Sequence, residues 1–238
     1  AYGISPVDWL VEGTQTLFTA SVSNPEELWI SDGTTGGTRR VSIDGSTQTL
    51  FYARFLTRSG SRIGFFAYDH TLTNRFWTLD SPGGSAKPGP ALNVYAGYSA
   101  PDVWPVTYDG KWVFSGISPV TNLPLWITDG TVTGTFGFGV ASSENYPGGI
   151  PVQAPRRLAL LGSNIVFAAG FGFDGEELFA ADLGSLQTRY LGNLYRLPSA
   201  GANPGSSPRS FVRLGDWLLF AATDKNRGEE LWRTDGTA

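Results

Sequence analysis

Short apolar runs alternate with polar, glycine-rich connections along the whole chain, at strand rather than helix spacing. Ile165-Val166-Phe167-Ala168-Ala169 and Leu218-Leu219-Phe220-Ala221-Ala222 are two such runs. No segment sustains a 3.6-residue period, and glycine or proline interrupts every stretch long enough for a helix. Phe18, Phe66, Phe114, Phe167 and Phe220 each sit in a run of this kind, with a second aromatic 11 or 12 residues later. That pattern predicts two strands joined by a polar connection. An earlier strand (Phe211-Val212-Arg213-Leu214 in the last copy) and a later one (Thr38 to Ile43 in the first) complete four strands in about 50 residues.

The second aromatic belongs to a motif. It reads Glu27-Leu28-Trp29-Ile30-Ser31-Asp32-Gly33-Thr34 at first, then Leu125-Trp126-Ile127-Thr128-Asp129-Gly130-Thr131, and finally Glu230-Leu231-Trp232-Arg233-Thr234-Asp235-Gly236-Thr237. Weaker copies surround Trp77 and Phe179. Positions 29, 77, 126, 179 and 232 are separated by 48, 49, 53 and 53 residues, which marks one structural unit repeated five times. A lone four-stranded sheet cannot bury both faces, whereas radial packing gives each face a neighbour. The expected fold is therefore all-β: a single five-bladed β-propeller domain over 1–238. Its blades are expected at about 6–47, 48–99, 100–150, 151–203 and 204–238. Residues 1–5 supply the last strand and close the ring in this reading. Trp29, Trp77, Trp126, Phe179 and Trp232 are expected to pack between blades. Asp32, Asp129 and Asp235 are expected to cap the turn that follows, with glycine taking positive φ.

The Glu-Leu-Trp-x-x-Asp-Gly-Thr motif resembles the ELWxxDGT repeat family, found in tandem in secreted or surface proteins of bacteria. Phe179 replaces tryptophan in the fourth copy, and Ser81-Pro82-Gly83 stands where the second should read Gly-Thr. The resemblance implies a propeller-like repeat and an exported location, and it implies no defined chemistry.

Composition narrows the functional classes. A net charge of −4 and a pI near 5.0 give no global attraction to nucleic acid. No apolar run approaches the ~20 residues of a transmembrane helix. The chain has no cysteine, so thiolate metal sites, disulfides and cysteine nucleophiles are excluded. It also has no methionine and begins Ala1-Tyr2-Gly3, which fits a processed N-terminus. The expected location is secreted, periplasmic or cell-surface.

The longer, more varied loops all fall on one side of the predicted blades, where binding usually resides. The innermost strands start on that side, and their starts carry Asp8, Arg54, Asp102, Arg156 and Arg209. Two aspartates and three arginines around a channel mouth admit two readings. One is a polar pocket in which arginines grip carboxylate, phosphate or sugar hydroxyls; the other is structural salt bridging between blades. Tyr95, Tyr98, Tyr146, Tyr195 and Trp104 lie in or near the longer loops and offer faces on which sugars stack.

Catalytic and cofactor signals are sparse. His70 is the sole histidine and lies in a polar loop, which argues against a Ser-His-Asp system. Asp8 and Asp102 are the carboxylates a five-bladed glycosidase would need. Asp174, Glu176 and Glu177 offer oxygen ligands for calcium, but the Glu-Glu pair recurs as Glu26-Glu27 and Glu229-Glu230, in step with the strands. No phosphate-binding loop is present, so neither cofactor nor metal is expected. These features together predict a non-enzymatic extracytoplasmic binding or scaffold module, with a protein partner or surface assembly as ligand. A lectin-like carbohydrate binder is the first alternative, and a glycoside hydrolase the second.

Overall fold

The computed structural model describes residues 8–21, 25–92, 104–116, 125–143, 146–151, 153–170, 175–195 and 204–237. These residues form strands and turns only, with no helix among them. Repeat 1 comprises β1 (Trp9–Glu12), β2 (Gln15–Ala20), β3 (Glu27–Ser31) and β4 (Arg39–Arg40). Repeat 2 comprises β5 (Phe51–Ser59), β6 (Arg62–Tyr68), β7 (Asn74–Leu79) and β8 (Lys87–Ala91). Repeat 3 has β9 (Val106–Tyr108), β10 (Lys111–Ser115), β11 (Leu125–Thr128) and β12 (Phe136–Phe138). A hairpin follows, β13 (Val140–Ser143) and β14 (Tyr146–Pro151). Repeat 4 has β15 (Gln153–Leu161), β16 (Asn164–Gly170), β17 (Glu176–Asp182) and β18 (Thr188–Gly192). Repeat 5 has β19 (Arg209–Leu214), β20 (Trp217–Asp224) and β21 (Gly228–Thr234).

Within each repeat the strands lie side by side in chain order, with antiparallel registers throughout repeats 1, 2, 4 and 5. Repeats 1 and 2 are joined into one eight-stranded sheet through the pair Glu27↔Phe51. The described residues fall into two compact units. One is drawn from Ala1–Asn93, Asp109–Trp112 and Thr128–Thr135, the other from Val94–Tyr108, Val113–Ile127 and Phe136–Ala238.

Consecutive residues of a strand point to opposite faces, and that alternation explains the Leu-Trp dipeptide. In the first unit Leu17, Leu28 and Ile30 of repeat 1 pack against Phe65, Ala67 and Trp77 of repeat 2. In the second unit Leu125 and Ile127 of repeat 3 pack against Phe167 and Phe179 of repeat 4. On the opposite face of repeat 4, Val166, Leu178 and Ala180 meet Phe220, Ala222 and Trp232 of repeat 5. The leucine of the motif thus faces the following repeat and the aromatic faces the preceding one. Burying each such side chain stabilises by about 1.5–3 kcal/mol. The indole N–H groups are placed as well as the rings: Trp77 donates to the Ala67 carbonyl at 3.1 Å, and Trp232 to that of Ala222 at 3.2 Å. In repeat 2 the cross-strand partner of Trp77 is Phe65, not Phe66, which lies opposite Phe76. Two adjacent phenylalanines satisfied the spacing rule, and only the register separates them, because a one-residue slip exchanges the faces.

The Asp-Gly-Thr turns are built alike. Asp32 Oδ1 accepts from the Thr34 N–H at 2.9 Å and its hydroxyl at 2.7 Å. Asp129 does the same with Thr131 at 2.8 and 2.7 Å, and Asp235 with Thr237 at 2.9 and 2.6 Å. Gly33, Gly130 and Gly236 have φ of 88°, 90° and 84°, where a side chain is strained. Thr34 and Thr131 then accept from the N–H groups of Gly37 and Gly134, each at 2.9 Å. A Cβ on Gly37 would lie 2.0 Å from the Asp32 carboxylate, and one on Gly134 would lie 2.1 Å from that of Asp129. The motif therefore extends to a glycine that the Asp-Gly-Thr reading left out.

The stretch between repeats 3 and 4 also differs from expectation. Tyr146, expected in or near a longer loop, instead begins β14, which forms a hairpin with β13, and β13 pairs in parallel with β18 through Ala141↔Thr188. The hairpin covers an outer edge that would otherwise present unpaired backbone groups. The expected closing segment, residues 1–5, lies outside the described residues.

Candidate functional site

Three innermost strands share one irregularity. In β5 the register passes from Arg54↔Phe66 to Thr57↔Gly64, in β15 from Arg156↔Ala168 to Ala159↔Val166, and in β19 from Arg209↔Ala221 to Val212↔Leu219. Each inner strand thus spends three residues where its partner spends two, a β-bulge. The residue after the arginine takes left-handed backbone in every case: φ is 60° at Phe55, 56° at Arg157 and 58° at Ser210. Such positions are costly for residues other than glycine and cluster where a side chain must be aimed. The structure therefore places Arg54, Arg156 and Arg209 at equivalent bulges. Asp8 takes the corresponding place in repeat 1, where its N–H donates to Thr19 Oγ1 at 3.1 Å and its carbonyl accepts from the Thr19 N–H at 3.0 Å. Asp102 lies outside the described residues.

Each described arginine of the set meets a glutamate at or beside the start of a third strand. Arg54 pairs with Glu26 at 2.5 Å, Arg156 approaches Glu176 at 3.8 Å, and Arg209 pairs with Glu229. Arg157, which the sequence pattern did not single out, joins Glu176 at 3.0 Å from the left-handed position of the bulge. These partners are the first members of the three Glu-Glu pairs. The second members turn the other way, as strand alternation requires. Glu27 accepts from the Thr49 hydroxyl at 2.9 Å and pairs with Arg40 at 2.9 Å, while buried Glu177 accepts from the Ser206 hydroxyl at 2.5 Å. Partly exposed ion pairs contribute about 0–1 kcal/mol each, so their chief effect here is to orient the arginines.

Asp8 is buried, and its Oδ2 accepts a hydrogen bond from the Leu56 N–H at 3.1 Å. Burial raises its carboxyl above the usual range, against the opposing pull of the Leu56 and Phe55 N–H groups and of nearby Arg54. A carboxylate held in this way serves as a backbone clamp. His70 is exposed within a loop organised by Asp69, which accepts from the Thr71 hydroxyl and N–H and from Arg75. Among the described residues no group of three His, Asp or Glu side chains is placed to hold a metal ion, and Asp174 lies outside them. Of the loop aromatics, Trp104 is exposed and Tyr195 half-buried; Tyr146 begins β14, and Tyr95 and Tyr98 fall outside the described residues.

No family model matches the chain, and no curated protein matches it. Solved structures do. A puromycin hydrolase complexed with PGG superposes with a TM-score of 0.55 at 15% identity, over 99% of this chain and 37% of that one. A putative TolB from Agrobacterium tumefaciens gives 0.52 at 11% identity, over 99% of this chain and 78% of that one. The GH74 xyloglucanase from Xanthomonas campestris gives 0.53 at 11% identity, over 94% and 35%. The chain has a β-propeller-like all-β fold. It spans little more than a third of the hydrolase and xyloglucanase chains. Identities this low carry the fold and nothing further. Among the described residues no helix is long and apolar enough to cross a membrane.

Proposed function

We propose that this chain is a non-enzymatic, extracytoplasmic binding or scaffold module, built as five propeller blades of the ELWxxDGT kind. The observation that carries this reading is the recurrence of an arginine immediately before a left-handed residue at the same bulge in three repeats. A feature that costs backbone strain at each occurrence is retained because it aims a side chain. The glutamates hold Arg156 and Arg209 in place while leaving their side chains 46% and 41% exposed, within reach of a partner's carboxylates or carbonyls. A glycosidase is the weaker reading, since its candidate Asp8 is engaged with backbone N–H groups of the neighbouring strand.

The test is isolation from the native source of wild-type chain and of a variant carrying Arg54→Ala, Arg156→Ala and Arg209→Ala. The expected outcome is that stoichiometric companions accompany the wild type and are lost from a variant that still folds. Hits on a glycan array would favour the lectin. Turnover of glycosides by wild type that disappears in Asp8→Asn would favour the hydrolase, and either result overturns the proposal.

A further inference from the structure

The chain contains six Asp-Gly dipeptides, and hydrogen bonding divides five of them into two kinds; in the sixth, Asp174 lies outside the described residues. Asp-Gly is especially open to spontaneous rearrangement, because glycine has no side chain to keep its nitrogen away from the neighbouring carboxyl. The glycine N–H must be free to lose its proton, and the carboxyl must be free to swing onto it.

In the three motif turns both groups are held. The Gly33 N–H donates to Ser31 Oγ at 3.0 Å, that of Gly130 to Thr128 Oγ1 at 2.9 Å, and that of Gly236 to Thr234 Oγ1 at 2.9 Å. The aspartate carboxylates are turned the other way, onto Thr34, Thr131 and Thr237. These bonds also favour the ionised carboxyl, which is a poor electrophile. The Thr34 hydroxyl and N–H hold Asp32 below its usual range, and Thr237 does the same to Asp235. At Asp129 burial pulls upward, but the Thr131 hydroxyl and N–H outweigh it.

Asp44-Gly45 stands in the connection between repeats 1 and 2, and Asp109-Gly110 forms the β9–β10 turn. Among the described residues no acceptor meets the N–H of Gly45 or Gly110, and neither aspartate side chain is hydrogen-bonded. Solvent access does not separate the two kinds, since Asp32 and Asp235 are exposed like Asp44 and Asp109. The bonds do.

We propose that Asp44 and Asp109 are sites of isoaspartate formation, and that the serine or threonine two residues before each motif glycine shields its turn from the same reaction. At Asp44 the Gly45 nitrogen loses its proton to solvent base and bonds to Cγ, and a carboxyl oxygen leaves as water. Water then adds to either carbonyl of the resulting imide. One addition restores aspartate; the other carries the main chain through Cβ and Cγ. No oxidant or reductant takes part. The added backbone carbon falls where neighbouring repeats are joined. The Asp44 N–H donates to the Ala86 carbonyl at 2.9 Å, and the Ala86 N–H to that of Ser42 at 2.8 Å. The Gly110 carbonyl accepts from Arg62 at 2.9 Å, and the same guanidinium donates to the Asp129 carbonyl at 2.6 Å.

The test holds the folded chain for weeks in heavy-oxygen water at mildly alkaline pH, then maps peptides by fragmentation that separates isoaspartate from aspartate. Each passage through the imide leaves one heavy oxygen. Label at residues 44 and 109 is expected to exceed that at 32, 129 and 235 by about tenfold or more, the factor one retained hydrogen bond supplies. Asp44→Glu should abolish it at 44, because the larger ring forms far more slowly. Ser31→Ala frees the Gly33 N–H and should raise label at Asp32 about tenfold. In guanidinium the unfolded chain should label all five sites alike. Selectivity that survives unfolding, equal labelling of the folded chain at both kinds of site, no label at 44 and 109, or a Ser31→Ala chain that matches wild type at Asp32 would each overturn the proposal.

Discussion

Asp8 reaches from repeat 1 into repeat 2 and accepts the N–H of Leu56 at 3.1 Å. The bulge after Arg54 creates the opportunity, because the β5–β6 ladder passes from Arg54 to Thr57 and leaves the intervening N–H groups to find other acceptors. A buried N–H left unpaired costs about 1–3 kcal/mol, so Asp8→Ala is expected to lower stability by that amount in thermal or urea unfolding. Asp8→Asn keeps an acceptor oxygen and removes a charge whose burial is unfavourable. It should remain within about 0.5 kcal/mol of wild type. Equal losses in the two variants would show that the charge, not the hydrogen bond, is what matters.

The glycines after the Asp-Gly-Thr turns make a second, internally controlled case. Gly37→Ala drives a methyl into the Asp32 carboxylate and is expected to cost about 1–3 kcal/mol. Gly36→Ala, with nothing within 4 Å of its Cβ and no positive φ, should change stability by less than about 0.5 kcal/mol. Unfolding midpoints of the two variants, measured side by side, check the difference.

Part of the acid sensitivity should trace to the Asp69 loop, beside the lowered carboxylates of the turn aspartates. Burial alone would raise the Asp69 carboxyl, but the Thr71 hydroxyl, the Thr73 N–H, Arg75 and the Thr71 N–H outweigh it and lower its pKa to about 2. A depressed folded-state value adds stability that is fully present above the unfolded pKa, about 3.9, and is lost as pH falls through the folded one. The stability gap between wild type and Asp69→Asn should therefore be constant near neutrality and close between about pH 4 and pH 2. Asp8, shifted upward, slopes the other way, so the gap should be measured as a difference between melting curves of the two proteins at each pH.

The motif tryptophans combine packing with one directed bond. Trp77→Phe removes the bond from the indole N–H to the Ala67 carbonyl and is expected to cost about 1–2 kcal/mol, whereas Trp77→Ala should cost about 3–5 kcal/mol by opening a cavity. Denaturant midpoints at unchanged m-value would separate the two effects.

Much of this arrangement was legible from one dimension. Strand placement, the repeated unit near fifty residues and the motif aromatics as contacts between repeats follow from periodicity. The choice of aspartate and glycine in the turns follows from local backbone chemistry. The tertiary structure decided what depends on counting across strands. It set Phe65 rather than Phe66 opposite Trp77, placed the three arginines at bulges that a regular ladder does not contain, and paired β13 with an edge far along the chain. The reason is physical: local sequence sets which face a residue prefers, whereas register and cover belong to the partner strand and the neighbouring sheet, which local sequence does not encode.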